Sequence, residues 1–170
     1  MSIHSYEELI DPLFGTVETA GSVDDYFDSI GKLERPLVLL FACHLVVAEV
    51  NNGGFSQLFF NSTGILVPEA TEGLAAIGML QLAAIVEEAA RLFGAPYPRH
   101  WERRREELMK AAGEIQEDDD GRACTADRVI ERDLLFSSLS TLFFELENIE
   151  NGGFEQAATG YAQRLDPLNR

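Results

Sequence analysis

Apolar and polar positions alternate along most of this chain with the period of an α-helix. Residues 36–50 are apolar around the whole circumference of a helix, which predicts a buried central helix. A buried strand is the competing interpretation, and the length of about 14 residues favours the helix. Two later stretches repeat apolar residues every three or four positions, namely Leu82, Ile85, Ala89 and Leu92, and then Leu135, Leu139, Leu142, Leu146 and Ile149.

Capping and helix-breaking residues place the ends of the predicted helices. Ser22 is a favourable N-cap for an acidic helix over 23–31, and Pro36 suits the first turn of the central helix. A short helix or turn is expected over 5–14, and a short helix with Phe55, Leu58 and Phe59 on one face is expected to end near residues 61–64. The remaining helices are expected from Pro68 or Thr71 to about Phe93, from His100 to Ile115, over 126–149 and over 154–165. No linker is long enough to divide the chain, so residues 1–170 are predicted to form one all-α domain, a helical bundle.

A six-residue motif occurs twice and predicts two matching corners between helices. Each copy follows an apolar helical stretch that ends near an acidic residue, Glu49 or Glu150. Glycine in the left-handed conformation ends a helix, the phenylalanine anchors the corner in the core, and the glutamine can reach free carbonyl groups at the helix end. A β-hairpin is the competing interpretation, but the flanking residues do not alternate. The two copies are Asn52-Gly53-Gly54-Phe55-Ser56-Gln57 and Asn151-Gly152-Gly153-Phe154-Glu155-Gln156.

These helix-stop-helix corners are interpreted as mainly architectural, with internal pseudo-symmetry. The functional alternative is that they present polar groups to a partner.

The charge of the chain indicates which kind of partner it binds. There are 29 Asp and Glu residues against 13 Lys and Arg residues, a formal net charge of -16. Such an excess repels nucleic acid and anionic membranes and attracts basic proteins. The alternative is that the acidity serves only solubility.

The sequence offers no pattern for a metal, a cofactor or catalysis. Cys43 and Cys124 belong to no Cys-x-x-Cys or Cys/His cluster. The three histidines are scattered, and no nucleophile or phosphate-binding motif occurs. We therefore expect no metal, no cofactor and no enzymatic activity. The apolar run 36–50 is shorter than the roughly 20 residues that span a membrane, and residues 1–10 show no signal pattern, so a cytoplasmic protein is expected.

The motif and its flanks resemble a known bacterial family. The segment from Glu49 to Gly64, with the later segment from Glu147 to Phe154, is similar to the signature of domain of unknown function 4375, over about residues 35–160. The resemblance implies an all-helical fold, often a homodimer, without known catalytic chemistry. In one member, acidic side chains imitate DNA phosphates. The positions that match the signature are Glu49, Asn52, Gly53, Gly54, Phe55, Gln57, Asn61, Asn151, Gly152, Gly153, Phe154 and Gln156.

Acidic side chains are the candidates for contact with a basic partner. Asp24 and Asp28 are four residues apart, which places them ~6 Å apart along a helix, whereas duplex DNA carries one charge per ~1.7 Å of its axis. Mimicry therefore requires carboxylates from several helices or from two subunits. The strongest candidates, Glu147 and Glu150, lie beside the second corner. The full set is Asp24, Asp25, Asp28, Glu117, Asp118, Asp119, Asp120, Glu145, Glu147 and Glu150.

Two of these groups have structural alternatives. Asp118–Asp120 also fit a solvated loop tip, and Glu147 and Glu150 a solvated helix end. The basic run Arg99 and Arg103–Arg105 alternates with glutamates, which predicts a solvated helix with ion pairs; a contact between subunits anchored by Trp101 is the alternative.

The leading functional hypothesis is an acidic protein-binding module. In its most specific form it is a DNA mimic that occupies a DNA-binding protein such as a transcription factor. The alternatives are an immunity-type protein that neutralises a basic toxin or nuclease, and an unrecognised enzyme with a polar pocket at His44.

Overall fold

The structure, a computed structural model, describes residues 3–113 and 126–165. These residues form helices without strands, which confirms the predicted all-α bundle. Short 3-10 turns cover Asp11–Leu13, Ser62–Leu66 and Glu150–Gly152. The α-helices are α1 (Glu7–Ile10), α2 (Val23–Ile30), α3 (Arg35–Phe60), α4 (Val67–Ala76), α5 (Leu80–Arg91), α6 (Trp101–Gly113), α7 (Ala126–Ile149) and α8 (Phe154–Leu165). Helix α3 is interrupted by a bend at Gly53 and Gly54, whose backbone is not helical.

Helix α3 is the centre of the bundle. Leu40, Val46 and Val50 are completely buried, and α1, α4, α6 and α7 all pack against the helix. By length and composition alone α3 could cross a membrane, and half of its most apolar 18-residue window is buried by the rest of the fold. The apolar circumference seen in the sequence therefore corresponds to contact with neighbouring helices on several sides.

The N-terminal helices follow their local signals. Ser22 caps α2 as predicted. Its hydroxyl accepts a hydrogen bond from the backbone amide of Asp25, and the Asp25 carboxylate accepts one from the backbone amide of Ser22. Tyr26 of α2 is fully buried, whereas Asp24 and Asp28 point outward.

The prediction of a single helix from about Pro68 to Phe93 is wrong, because this segment forms two helices. Gly78 has φ +89° and separates α4 from α5. The Met79 amide donates to the Leu74 carbonyl at 2.8 Å and the Gly78 amide to the Ala75 carbonyl at 3.1 Å, which is the Schellman pattern of a helix end. The glycine thus closes α4 and turns the chain back, so that α5 packs on both α4 and α7.

The buried face of α7 differs from the predicted leucine stripe. Leu139 is buried as expected, but Leu142 is 47% exposed and Ile149 70% exposed. Phe136 and Phe143 take the core positions instead. Their rings lie 5.5 Å from Phe59 and 5.7 Å from Phe55, respectively. Contacts between large aromatic rings therefore set the rotation of α7 about its axis.

Candidate protein-binding surface

The two motif copies form corners that share one unusual backbone conformation. Gly54 has φ 68° and ψ -172°, and its equivalent Gly153 has φ 92° and ψ 160°. Positive φ combined with extended ψ is a region that essentially only glycine adopts without strain. The prediction of a left-handed glycine is wrong at Gly53, whose φ is -157°, whereas Gly152 has φ +85°. The second glycine of each motif therefore makes the turn.

Each corner presses its backbone against another helix. A Cβ atom on Gly54 would lie 2.9 Å from the Ser140 hydroxyl of α7. The same hydroxyl oxygen accepts a hydrogen bond from the Phe55 backbone amide, with an N–O distance of 3.2 Å, and Phe55 is completely buried. The corner thus gains a hydrogen bond for a buried amide, because glycine lets the backbone approach closely.

Glu49 holds the first corner together. Its carboxylate accepts hydrogen bonds from Gln57 Nε2 at 2.8 Å, Asn61 Nδ2 at 3.0 Å and Thr63 Oγ1 at 2.5 Å. The prediction that Gln57 reaches a free carbonyl group is therefore wrong, since its amide donates to a carboxylate. All three donors are neutral, and through them the carboxylate bridges both sides of the Gly53-Gly54 bend.

The second corner is tied to its surroundings by polar side chains. The Glu150 carboxylate accepts hydrogen bonds from the backbone amides of Gln81 at 2.8 Å and Leu82 at 2.9 Å, so it caps the N-terminus of α5. The Asn151 amide group donates to the Ile77 carbonyl at 2.8 Å. Asn51 of the first corner donates to Glu147 at 2.9 Å, which connects the two corners. These contacts support the mainly architectural interpretation of the motif.

Clefts lie beside both corners. One of ≈ 740 Å³ is lined by Asn52, Ser56 and Gln57, among others. Another, of ≈ 660 Å³, is lined by the equivalent Asn151, Glu155 and Gln156. The equivalent residues of the two copies therefore face solvent-filled space, and the corners present polar groups outward as well as supporting the fold.

Nine of the ten predicted acidic residues fall into three groups, and the tenth, Glu147, accepts a hydrogen bond from Asn51. Asp24, Asp28 and Glu145 are exposed on the outer faces of α2 and α7. Asp25 and Glu150 serve as caps within the fold, and hydrogen bonds from Ser22 lower the pKa of the Asp25 carboxyl. The remaining four lie outside the described residues: Glu117, Asp118, Asp119 and Asp120.

An acidic surface forms where α1 meets the end of α7 and the start of α8. At its centre the Tyr6 hydroxyl lies 2.9 Å from His44 Nδ1 of α3. Burial raises the pKa of Tyr6, and the charges of Glu7, Glu155 and Glu147 raise it further. We call Glu7, Asp11, Glu147 and Glu155 the α1–α8 acidic surface.

Only Glu147 of this surface was among the sequence candidates, although Glu155 was named within the motif. None of the four carboxylates forms an ion pair among the described residues. Burial lowers the pKa of His44, and Glu7 and Asp11 oppose that shift. The surface is therefore negatively charged at neutral pH, with an uncharged histidine beneath it.

The prediction of a solvated basic helix is wrong for two of its arginines. Arg104 is completely buried, and its guanidinium donates to five backbone carbonyls. Arg99 forms a two-pronged ion pair with buried Glu69, with N–O distances of 2.6 and 3.0 Å. Arg105 stacks on Phe60 and Trp101. These cations serve the interior and the end of α3 rather than the outer acidic surface.

Fold and site together define a small all-α protein built around two glycine corners, with an acidic surface whose four carboxylates form no ion pair among the described residues. Residues 31–150 match the DMP19-like protein family, and the chain belongs to that family. The expected family resemblance is thereby confirmed. The matched range contains the whole first corner and ends immediately before Asn151 of the second motif copy. No curated protein and no solved structure matches the chain.

Proposed function

We propose that this protein is a DNA mimic, which places its acidic surface in the DNA-binding site of a basic protein. The observation that carries the proposal is the α1–α8 acidic surface, where carboxylates from α1, the adjoining 3-10 turn, α7 and α8 gather and form no ion pair among the described residues. Membership of the DMP19-like family supports the same function.

The distribution of positive charge strengthens this proposal. Arg104 is bonded to carbonyl groups and Arg105 to aromatic rings and the Phe60 carbonyl, so neither neutralises a carboxylate. These two arginines therefore offset none of the exposed carboxylates by direct pairing. A basic partner would be attracted over about 10 Å at moderate salt.

The spacing of the carboxylates also suits a phosphate-like array. Glu7 and Asp11 are separated by four residues, as are Asp24 and Asp28, and each separation corresponds to ~6 Å along a helix. A single helix is too sparse to match the charge density of duplex DNA. The α1–α8 acidic surface adds carboxylates from more than one segment, which a single helix cannot supply.

The test is capture from a lysate of the source cells on immobilised protein at low salt, followed by elution with duplex DNA. We expect a DNA-binding protein that duplex DNA releases, while polyglutamate at equal charge releases much less. A partner that duplex DNA fails to displace would contradict mimicry. A single partner that resists high salt would instead support the immunity-type hypothesis.

A matched pair of variants makes this test specific to the surface. In one variant Glu7, Asp11 and Glu155 become Gln, Asn and Gln; in the control Glu34, Glu87 and Glu88 become Gln. Both variants lose three negative charges from exposed positions. We expect capture to be lost only in the first variant, with both remaining folded by circular dichroism. Equal capture by the two variants would show that net charge, not this surface, recruits the partner.

A further inference from the structure

A cleft at the end of α3 contains two opposite charges that do not pair with each other. It has a volume of ≈ 350 Å³ and is lined by Ala20, Glu49, Asn61, Ser62, Trp101 and Arg105. Both charged side chains belong to the described residues, yet no N–O distance between them falls within 4.0 Å. The cleft is of the size of small-molecule sites, which start at about 300 Å³.

Arg105 forms the positive wall of the cleft in a fixed orientation. Its guanidinium carbon lies 4.1 Å from the centre of the Phe60 ring and 4.2 Å from the Trp101 ring. Its Nε donates to the Phe60 carbonyl at 2.8 Å. The two terminal nitrogens have no hydrogen-bond partner among the described residues. A planar guanidinium held in this way is pre-organised to donate two parallel hydrogen bonds to a carboxylate.

Glu49 forms the negative wall and is also fixed. Neutral donors, the side chains of Gln57, Asn61 and Thr63, hold its two oxygens. Two of these hydrogen bonds reach Oε2 and one reaches Oε1, so Oε1 retains room for a further donor. No cation of the described residues lies within ion-pair distance of this carboxylate. A bound ammonium group would supply the missing positive charge.

We propose that this cleft binds a small zwitterion of the amino-acid class, with its carboxylate on Arg105 and its ammonium group on Glu49. Either charge alone would gain one wall and be repelled by the other. A molecule that carries both charges satisfies both walls at once. This ligand site is independent of the proposed DNA mimicry, because it uses the corner and α6 rather than the α1–α8 acidic surface.

The test is isothermal titration calorimetry with glycine, β-alanine and γ-aminobutyrate, which separate the two charges by increasing lengths. Acetate and methylammonium serve as probes that carry one charge each. We expect at least one zwitterion to bind at least about tenfold more tightly than either single-charge probe. No binding of any of the three zwitterions up to about 10 mM, or equally tight binding of acetate, would overturn the proposal.

Variants locate the binding site. Arg105→Gln removes the carboxylate partner and should weaken the bound zwitterion about 10- to 100-fold, the range expected for hydrogen bonds to a charged group. Arg91→Gln removes an exposed arginine of α5, which is paired with Glu87 and Glu88, and should leave the affinity unchanged. Glu49→Gln also alters the corner, so the Arg105 comparison decides. Unchanged affinity in Arg105→Gln, with melting as in the parent protein, would overturn the site.

Discussion

Replacement of Gly54 by alanine tests the geometry of the first corner. The backbone at Gly54 has φ 68° and ψ -172°, and strain of this kind costs an alanine about 1–3 kcal/mol. The new methyl group would also lie 2.9 Å from the Ser140 hydroxyl, which must rotate away. Loss of that acceptor leaves the buried Phe55 amide unsatisfied, at a cost of about 1–3 kcal/mol. The free energy of unfolding should therefore fall by about 2–6 kcal/mol.

The assay is urea unfolding followed by far-UV circular dichroism. Gly15→Ala is the matched control, because Gly15 has φ +81° but no atom within 4 Å of an added Cβ. It should lose only the backbone strain, about 1–2 kcal/mol. Ser140→Ala removes the hydroxyl that Gly54→Ala displaces. The double variant should therefore be destabilised by about 0.5–1.5 kcal/mol less than the sum of the two single changes.

Two results would refute this reasoning about the corner. One is a Gly54→Ala variant no less stable than Gly15→Ala, which would mean that the contact with α7 contributes nothing. The other is full additivity of Gly54→Ala and Ser140→Ala, which would mean that the two positions do not interact.

Two further predictions concern a buried arginine on α6 and a half-buried histidine on α3. Arg104→Met should lower the free energy of unfolding by about 3 kcal/mol or more, because several buried carbonyls lose their donor. Urea titration checks this loss against the control Arg91→Met, whose free energy of unfolding should stay within about 0.5 kcal/mol of the parent. His44→Asn should reduce the loss of stability on acidification. Burial lowers the pKa of His44 from 6.5, so His44 binds a proton more readily in the unfolded chain than in the folded protein. The neutral form of His44 therefore contributes stability that is fully present above pH 6.5 and is lost as the pH falls through the folded pKa. Identical slopes of unfolding free energy against pH in the two proteins would contradict this.

Local signals in the sequence predicted most of the helices. The Ser22 cap fixed the start of α2, and α7 begins and ends at the predicted residues 126 and 149. The break at Gly78 was missed because the alanine-rich residues on both sides continue the helical pattern. A glycine within an otherwise regular helix was the only signal, and glycine is also tolerated inside helices.

Contacts between distant segments could not be predicted in this way. Arg103, Arg104 and Arg105 are adjacent in sequence, yet only Arg104 is buried. Arg104 is stable in the interior because the Phe59 carbonyl at the end of α3, 45 residues earlier in the sequence, accepts a hydrogen bond from its guanidinium. Likewise, Phe136 and Phe143 take the core of α7 instead of the leucine stripe because of the rings on α3 that they meet. Tertiary packing overrides a local pattern in both cases.

The candidate site shows the same limit. The sequence indicated Glu147 as a partner-binding residue, but nothing local to Glu7 or Asp11 pointed to the same surface. These residues come together with Glu155 only because α1 packs beside α8, where the Tyr6 ring lies 5.6 Å from Phe154.

The pairing of α1 with α8 has a consequence for how the protein is made. The Tyr6 amide donates to the Thr159 hydroxyl across 153 positions of sequence. During synthesis at about 5–20 residues per second, α1 leaves the ribosome many seconds before α8 exists to receive it. Throughout that interval the α1–α8 acidic surface is not assembled, because Glu155 at the start of α8 has not yet been added. The surface is therefore complete only after α8 has been synthesised and the segment at Tyr6 has packed against it.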